Sequence, residues 1–254
     1  MSKAKFVTGL RTVEQLMSLR PADILKIYAE YQTANPRLEE LISQANAKGI
    51  EIQPANRARL HQISGENRHQ GVVAEIRRSQ TLDEAALRTL VEEKLTQDKP
   101  LLLLVLDGIQ DPHNLGACLR TADAAGVDAV VVPRHGAAGL GPTVSKVAAG
   151  AAESIPFAAV PNTGKTLAWM SEYGFSIVGT SDAGDKRLYD CDLAGSVALV
   201  MGQEHAGLRK NIAARCDELV SLPMHGSVSS LNVSVATGIC LYEVVRQRSA
   251  GDRG

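Results

Sequence analysis

The sequence predicts an α/β fold: a mostly parallel sheet in the C-terminal part of the chain, preceded by a small α/β domain. Beyond residue 100, apolar runs of strand length alternate with stretches of helical periodicity. Runs that are apolar at nearly every position indicate strands covered on both faces, as in parallel sheets flanked by helices. With 254 residues, 44% of them hydrophobic, the chain is long enough to bury a core without disulfides or metals.

The first 78 residues predict the small α/β domain. Apolar residues at helical spacing indicate helices at 12–19 and 36–48, and Gly49 suits the end of the second helix. Three short apolar or alternating runs predict strands at Ile24–Tyr28, Ile50–Ile52 and Gly71–Ile76.

Residues 79–99 differ from both neighbouring regions. From residue 81 onwards they hold 5 acidic and 3 basic side chains, and their amphipathic pattern predicts a helix over 82–95. Because the polar residues 77–80 precede this helix and Pro100 follows it, we interpret 79–99 as a linker that carries its own helix.

Residues 100–254 predict the larger domain. Five apolar runs predict strands at Leu101–Leu106, Ala129–Val132, Ser176–Gly179, Val197–Met201 and Leu219–Leu222. Helical periodicity occurs at 114–125, 144–149, 165–173, 208–215 and 233–247. Strands that alternate with helices pair in parallel, because each helix returns the chain to the same end of the sheet.

Composition excludes several classes of protein. No apolar run approaches the ~18 residues of a membrane span, and no apolar segment follows the first residues as in a secretion signal. The four cysteines form no C-x-x-C pair, which favours reduced thiols in the cytoplasm. The six histidines show no ligand spacing, so we expect no metal site.

The charge is unevenly distributed along the chain. Residues 1–80 hold 12 basic and 8 acidic side chains, whereas residues 100–254 hold 12 and 15. The basic excess includes Arg57, Arg59, Arg68, Arg77 and Arg78. It fits either a module that faces nucleic acid or an ordinary solvated surface.

One stretch is similar to a phosphate-binding loop. Ala159 and Gly164-Lys165-Thr166 satisfy a relaxed Walker A pattern, which makes a nucleoside triphosphatase an alternative function. However, the first loop position is alanine, Pro161 offers no amide to a phosphate, and the candidate Walker B strand at 101–106 precedes the loop. An ordinary helix start after a turn is the better interpretation.

Three segments place polar side chains where strands end and helices begin, at residues 106–121, 198–208 and 221–238. Asn114 lies near a helix start, where capping is its ordinary role. Arg120 lies in an otherwise small and apolar helix. A buried arginine requires a carboxylate or phosphate partner, so Arg120 is either half of a structural ion pair or a site residue.

The chain closely resembles the SpoU-type (TrmH-like) RNA ribose 2'-O-methyltransferases of the SPOUT superfamily. The resemblance rests on three motifs in order: L-D-G-I-Q-D-P-H-N-L-G-A-C-L-R-T, V-M-G-Q-E-H-A-G-L and S-L-P-M-H-G-S-V-S-S-L-N-V-S. It spans nearly the whole chain and includes R-H-Q-G-V-V-A at 68–74. Only His205 departs, replacing a residue of the commoner glycine-rich second motif.

The resemblance implies a deep trefoil knot in the C-terminal sheet and a homodimer formed through that domain. It also implies that S-adenosylmethionine binds among the knot loops, which by position are 177–181, 200–207, 221–225 and 230–232. The implied cofactor-binding residues are Thr180, Met201, Gly202, Leu222, Met224 and Leu231, with Gly202, Leu222 and Leu231 acting largely through their backbone.

The resemblance assigns catalytic roles to Asn114, Arg120, Glu204, Ser230 and Asn232. A ribose 2'-hydroxyl is a poor nucleophile until its proton leaves, so the enzyme must position and deprotonate it. Arg120 either loses a proton in a dry site or orients the ribose while an RNA phosphate accepts the proton. Glu204 would anchor the guanidinium, and the remaining three would hold the ribose or the cofactor tail.

The implied reaction is methylation of one guanosine of 23S rRNA, in the loop that contacts the end of the peptidyl-site tRNA. No metal is required, because methyl transfer from a sulfonium cancels charge. The N-terminal domain would grip the rRNA through Arg57, Arg59, Arg68, His69 and Gln70. Two alternatives stay open: methylation of another rRNA or tRNA nucleotide, and a non-catalytic RNA-binding chaperone of the same fold.

Overall fold

A computed structural model describes residues 5–19, 21–31, 35–66, 68–76, 81–182, 184, 186–203 and 207–251 of the chain. The chain divides into two compact units, Met1–Gln80 and Thr81–Gly254. Within the described ranges, no helix is both long enough and apolar enough to cross a bilayer. The same ranges contain no group of three or more His, Cys, Asp or Glu side chains arranged to hold a metal ion.

The N-terminal unit is a four-stranded sheet with helices on both faces. Its elements are β1 (Lys5–Thr8), α1 (Leu10–Leu19), β2 (Ile24–Glu30), α2 (Pro36–Ala47), β3 (Ile52–Ala55), α3 (Arg57–Ser64) and β4 (Val72–Ile76). The strand order is β1-β4-β2-β3, and β2 and β3 are parallel whereas the other pairs are antiparallel. The unit thus combines helices with a mixed sheet.

The two faces of this sheet carry separate apolar clusters. Along β4, Val72 and Ala74 pack with α1 and α2, whereas Val73 packs with Leu60 of α3 on the opposite face. The sequence pattern did not predict α3, because Leu60 is its one buried side chain and its apolar periodicity is therefore weak. Asn56 begins this helix by accepting a hydrogen bond of 2.8 Å from the Arg59 main-chain nitrogen.

The second unit is built on a seven-stranded sheet. Its elements are α4 (Glu84–Leu95), β5 (Leu102–Leu106), α5 (Pro112–Ala124), β6 (Ala129–Pro133), α6 (Pro142–Ala148), α7 (Ala151–Ser154), β7 (Phe157–Val160), α8 (Thr163–Glu172), β8 (Ser176–Thr180), β9 (Lys186–Arg187), β10 (Val197–Met201), α9 (Lys210–Ala213), β11 (Glu218–Ser221) and α10 (Val233–Gly251). The strand order is β7-β6-β5-β10-β8-β11-β9, with every pair parallel. The predicted parallel sheet is confirmed.

Both faces of this sheet are buried. Along β5, Leu102, Leu104 and Leu106 belong to one apolar cluster, and Leu103 and Val105 belong to the other. This alternation explains why the strand is apolar at every position.

The helix α4 is an integral part of the second unit. Leu87 and Val91 of α4 are buried with residues of the sheet, and the Leu82 main-chain nitrogen donates to Phe157 O at 2.8 Å. The interpretation of 79–99 as a separate linker is therefore wrong from residue 81 onwards, because the apolar side of its helix lies against the sheet.

The stretch that is similar to a phosphate-binding loop is an ordinary helix start. Asn162 caps α8 by accepting a hydrogen bond from the Lys165 main-chain nitrogen at 3.1 Å. Thr166 is buried, and its hydroxyl donates to Glu84 Oε1 of α4 at 3.1 Å. A carboxylate therefore lies where the nucleoside triphosphatase alternative needs a phosphate or a metal-bound group.

Candidate active site

A cavity of about 260 Å³ opens at the carboxyl ends of β8, β10 and β11, beside the start of α10. Crevices at this edge of parallel sheets are the usual ligand sites of α/β folds. The lining includes all six predicted cofactor-binding residues: Thr180, Met201, Gly202, Leu222, Met224 and Leu231. Ser230, predicted to be catalytic, also lines the cavity and is exposed.

Part of the cavity wall is bare main chain. A Cβ atom added to Gly202 would lie 2.3 Å from the carbonyl carbon of Gly207, so position 202 admits no side chain. The main chains of Gln203 and Gly207 exchange two hydrogen bonds, of 3.0 and 2.9 Å. This part of the wall is therefore main chain rather than side chain, and its carbonyl oxygens can each accept a second hydrogen bond from the edge of a heterocyclic base.

The rest of the lining combines apolar side chains with a polar rim. Val220, Leu222 and Val233 contribute apolar surface, whereas Ser181 and Asp182 contribute polar groups. Ser181 and Gln203 belong to the predicted cofactor loops but were not named as site residues, and Asp182 lies just beyond those loops. The available signal was their position directly after β8 and β10, at the same edge of the sheet.

Two of the predicted catalytic residues meet beside this cavity. Asn232 Nδ2 donates a hydrogen bond of 3.0 Å to Asn114 Oδ1. Capping was given as the ordinary role of Asn114, but Asp111 caps α5 by accepting from the His113 nitrogen at 2.9 Å, and Asn114 is the third residue of the helix, within its first turn. Asn232 performs the capping at α10, because its Oδ1 accepts from the Ser234 nitrogen at 2.9 Å.

Arg120 lies on the outward side of α5. The opposite side of this helix buries Leu115, Cys118 and Leu119, and Arg120 points away from them into solvent. The expectation of a buried arginine is therefore wrong for the single chain, because helical periodicity turns this position away from the sheet. Across the described ranges, no ion pair or hydrogen bond joins the Arg120 side chain to another residue.

The structure leaves one predicted contact undescribed. Glu204, expected to anchor the Arg120 guanidinium, lies outside the described residues, as do Arg77 and Arg78. The described positions on either side of Glu204, Gln203 and Gly207, both line the cavity.

An ion pair missed by sequence reasoning lies next to the cavity wall. The Asp107 side chain is fully buried at the end of β5, and Arg209 donates to it through Nε and Nη2. This contact raises the pKa of Arg209 above its usual value. The available signal was an acidic residue directly after an entirely apolar strand, since a buried carboxylate requires a cationic or hydrogen-bonding partner.

In the N-terminal unit, the predicted RNA-binding residues fall into two groups. Arg57, Arg59 and Arg68 are exposed. His69 is only 2% exposed, and its Nδ1 accepts a hydrogen bond of 3.1 Å from the Gly71 nitrogen. Burial, followed by the nearby charge of Arg57, lowers the pKa of His69. Because the His69 ring is buried and bonded to the turn, we do not expect it to contact RNA directly.

Gln70 is exposed but engaged within its own unit. Its Oε1 accepts a hydrogen bond of 3.1 Å from the Leu10 nitrogen at the start of α1. Its backbone is left-handed, with φ of 54°, and Gly71 follows with φ of 80°. His69, Gln70 and Gly71 thus form a tight turn that supports β4.

Both units match models of known families. Residues 6–82 match the family described as RNA 2'-O ribose methyltransferase substrate binding. Residues 101–242 match the SpoU rRNA Methylase family.

Several proteins are similar over almost their whole length. A Coxiella burnetii protein named 23S rRNA (guanosine-2'-O-)-methyltransferase RlmB is 46% identical over 250 residues, which cover 98% of both chains. A Yersinia pestis protein of the same name is 47% identical, over 96% of this chain and 98% of its own. The crystal structure of the SpoU methyltransferase AviRb from Streptomyces viridochromogenes, in complex with AdoMet, has a TM-score of 0.73 at 26% identity, covering 97% of this chain and 91% of that one.

Proposed function

Because the chain belongs to the SpoU rRNA methylase family, we propose that it transfers a methyl group from S-adenosylmethionine to the ribose 2'-hydroxyl of a guanosine in 23S rRNA. The observation that carries this proposal is the cavity at the ends of β8, β10 and β11. It brings together six residues expected to hold the cofactor. The hydrogen-bonded pair Asn114 and Asn232 joins the starts of α5 and α10 beside it.

The residues around the cavity fit this cofactor in their chemistry. The apolar side chains of Leu222 and Leu231 suit the faces of an adenine ring, and the bare main chain at Gly202 suits its polar edge. Thr180 is held against the end of β10, where its hydroxyl lies 3.4 Å from Val200 O. Asp182 at the rim suits hydroxyl or ammonium groups of the cofactor.

When bound, S-adenosylmethionine supplies an electrophilic methyl group on a sulfonium. The chain then has to position the ribose and remove its proton. An exposed Arg120 favours the second of the two routes: the guanidinium orients the ribose as a cation, and an RNA phosphate accepts the 2'-hydroxyl proton. Asn114, Asn232 and Ser230 hold the ribose or the cofactor tail, and Glu204 anchors Arg120.

The N-terminal unit binds the rRNA in this proposal. Its exposed Arg57, Arg59 and Arg68 contact phosphates, and Gln70 lies at the same turn as Arg68. The match of residues 6–82 to a substrate-binding family supports this role. His69 supports the surface from within, because its ring is bonded to the turn.

The finer features implied by the family belong to the same proposal. A homodimer through the second unit is supported by an apolar stripe on α10, where Val235 and Tyr242, two helical turns apart, are 51% and 52% exposed. A trefoil knot is supported by the close approach of the Gly184 main chain to the main chain of Leu219 and Val220, which lie far from it in sequence. The protein acts in the cytoplasm, where bacterial ribosomes assemble.

The proposal is tested with the purified protein, tritiated S-adenosylmethionine and unmodified 23S rRNA. Alkaline cleavage of the product maps the modified position, because a 2'-O-methyl group blocks cleavage at its own linkage. Label at a single resistant linkage after guanosine is the expected result. Label on a base would overturn the hydroxyl mechanism, and the absence of label from every rRNA and tRNA tested would favour the non-catalytic chaperone.

A further inference from the structure

Asp107 connects two parts of the chain at the edge of the sheet. It is the first residue after β5, and its side chain is fully buried. Its main-chain nitrogen donates to Met201 O, the last residue of β10, at 2.8 Å. Its carboxylate accepts from Arg209 Nε at 3.0 Å, from Arg209 Nη2, and from the Arg209 main-chain nitrogen at 3.4 Å.

Met201 and Arg209 stand on either side of the segment that forms the bare main-chain wall of the cavity. Of that segment, the structure describes 202–203 and 207–208. These two limbs are joined by the paired hydrogen bonds of Gln203 and Gly207. Asp107 therefore holds one limb through its backbone and the other through its carboxylate.

Gly108 completes the arrangement. Its backbone is left-handed, with φ of 83°, and a Cβ atom there would lie 2.6 Å from Gln203 Nε2. The turn after β5 thus leaves room for the side chain of Gln203, which lines the cavity. Two consecutive residues of the first motif, Asp107 and Gly108, shape the wall that belongs to the second.

The ion pair between Asp107 and Arg209 favours one fixed arrangement of the two side chains. A fully buried carboxylate is strongly disfavoured unless it is paired, and the planar fork of arginine gives the pair one orientation. About half of the Arg209 side chain is exposed, so its position is set by Asp107 rather than by surrounding apolar packing. This rigidity is transmitted to Gly207 and Leu208, which directly precede Arg209.

We propose that Asp107 and Arg209 are positioning residues for the cofactor: their ion pair holds the main chain of Gly202, Gln203 and Gly207 in the shape that binds S-adenosylmethionine. This inference rests on the proposed function. Neither residue contacts the cofactor in this proposal. The ion pair instead raises the affinity for the cofactor by fixing the main chain of the cavity wall.

The test compares Arg209→Lys and Asp107→Asn with the wild type in the full-length protein. Lysine keeps the charge that Asp107 needs but lacks the fork, and asparagine keeps the shape of the carboxylate but loses its charge. Arg215→Ala, an exposed arginine just beyond α9, is the matched control. Calorimetric titration with S-adenosylmethionine gives the affinity, and methylation of 23S rRNA gives KM and kcat. Hydrogen exchange of a peptide that spans 200–210 measures how often the main chain of the wall opens.

We expect both variants to bind S-adenosylmethionine about ten- to a hundredfold more weakly, because the wall is no longer held beforehand in the shape that fits the cofactor. KM for the cofactor should rise by the same factor, with faster exchange confined to 200–210 and a circular dichroism spectrum like that of the wild type. Arg215→Ala should match the wild type throughout.

Other results have distinct meanings. Folded variants that bind the cofactor like the wild type would overturn the positioning role and leave the proposed function intact. A wild type that binds no S-adenosylmethionine would overturn both. If Asp107→Asn does not fold, Arg209→Lys decides alone: wild-type affinity in that variant overturns the inference, and weakened affinity with a wild-type fold supports it.

Discussion

The side-chain amide of Asn232 donates to Asn114 Oδ1 at 3.0 Å, joining the first turns of α5 and α10 across a separation of 118 residues. The Oδ1 atom of the same Asn232 accepts from the Ser234 nitrogen and caps α10. One side chain therefore has a structural role through its oxygen and a role in the proposed active site through its nitrogen. The two roles can be separated by substitution.

Asn232→Ser should reduce catalysis without destabilising the protein. Serine is a good helix cap, but it is too short to reach Asn114, so the free energy of unfolding should change by less than about 0.5 kcal/mol. Asn232→Ala removes the cap as well and should cost about 1 kcal/mol. We expect kcat for 23S rRNA to fall at least about tenfold in both, since an oriented group is lost.

The matched control is Asn162→Ser, because Asn162 caps α8 in the same way away from the cavity. It should methylate rRNA like the wild type. Urea unfolding gives the stabilities and single-turnover methylation gives the rates. Wild-type turnover in Asn232→Ser would show that the contact with Asn114 has no catalytic role.

Arg120→Ala should abolish most turnover while leaving the fold and the cofactor affinity nearly unchanged. Truncation of an exposed side chain without a partner in the described ranges should change stability by no more than about 0.5 kcal/mol. Loss of a group that orients the ribose should lower kcat about 10²- to 10³-fold. Lys146→Ala, an exposed cation on the neighbouring α6, is the control. A large loss of cofactor affinity in Arg120→Ala would contradict the assignment.

The sequence predicted the elements that its periodicity makes evident. The strands at 102–106 and 197–201 are apolar at every position because both faces of the sheet are covered, and they lie within one residue of their predicted bounds. By contrast, β1, β7 and β9 went unpredicted, because their four, four and two residues barely show a period. The linker interpretation of α4 failed because an amphipathic pattern predicts that a helix has a buried side but not which surface covers it. In the structure, Leu87 and Val91 are buried against the sheet of the second unit.

Part of the candidate site was likewise predicted from the sequence, and part was not. Thr180, Gly202 and Leu222 were placed by resemblance and do line one cavity, since each follows or ends a strand at the same edge of the sheet. The exposure of Arg120 could not be foreseen from its small, apolar neighbours, because the outward side of α5 bears alanines as well. The contact of Asp107 with Arg209 spans 102 residues, and no local pattern specifies a pair so distant.

Removal of residues 1–80 should abolish rRNA methylation but preserve cofactor binding. The two units have separate apolar clusters, so residues 81–254 retain both faces of their sheet and the complete cavity. Calorimetry should give a dissociation constant for S-adenosylmethionine within about threefold of the full-length value, a difference below about 0.7 kcal/mol. Full activity of residues 81–254 on 23S rRNA would refute the RNA-binding role of the N-terminal unit.

Alanine at Arg57, Arg59 or Arg68 should weaken rRNA binding through lost phosphate contacts. Each substitution should lower the slope of log affinity against log salt by about 1, without changing which nucleotide is methylated. Lys48→Ala, an exposed cation after α2, should leave the slope unchanged. The slope is measured by filter binding of rRNA at a series of salt concentrations from low to moderate. If the slope is unchanged in all three variants, the RNA-binding surface lies elsewhere on the protein.

The N-terminal unit should lose stability as the medium becomes mildly acidic, because of His69. Burial, and then the charge of Arg57, holds the pKa of His69 below its usual value, so the folded unit keeps the imidazole neutral and bonded to the Gly71 nitrogen. The unfolded chain binds the proton more readily, near pH 6.5. The stabilising contribution is therefore complete above that pH and is lost as the pH falls below it.

Urea unfolding of residues 1–80 between pH 8 and pH 5 should show this decline, and His69→Gln should flatten it. His61→Gln tests specificity, because His61 is the other histidine of these 80 residues and is exposed. The stability of the His61→Gln variant should still fall with pH nearly as steeply as that of the wild type. A wild-type stability that stays constant down to pH 5, or a slope that survives in His69→Gln, would show that the buried imidazole is not the group that titrates.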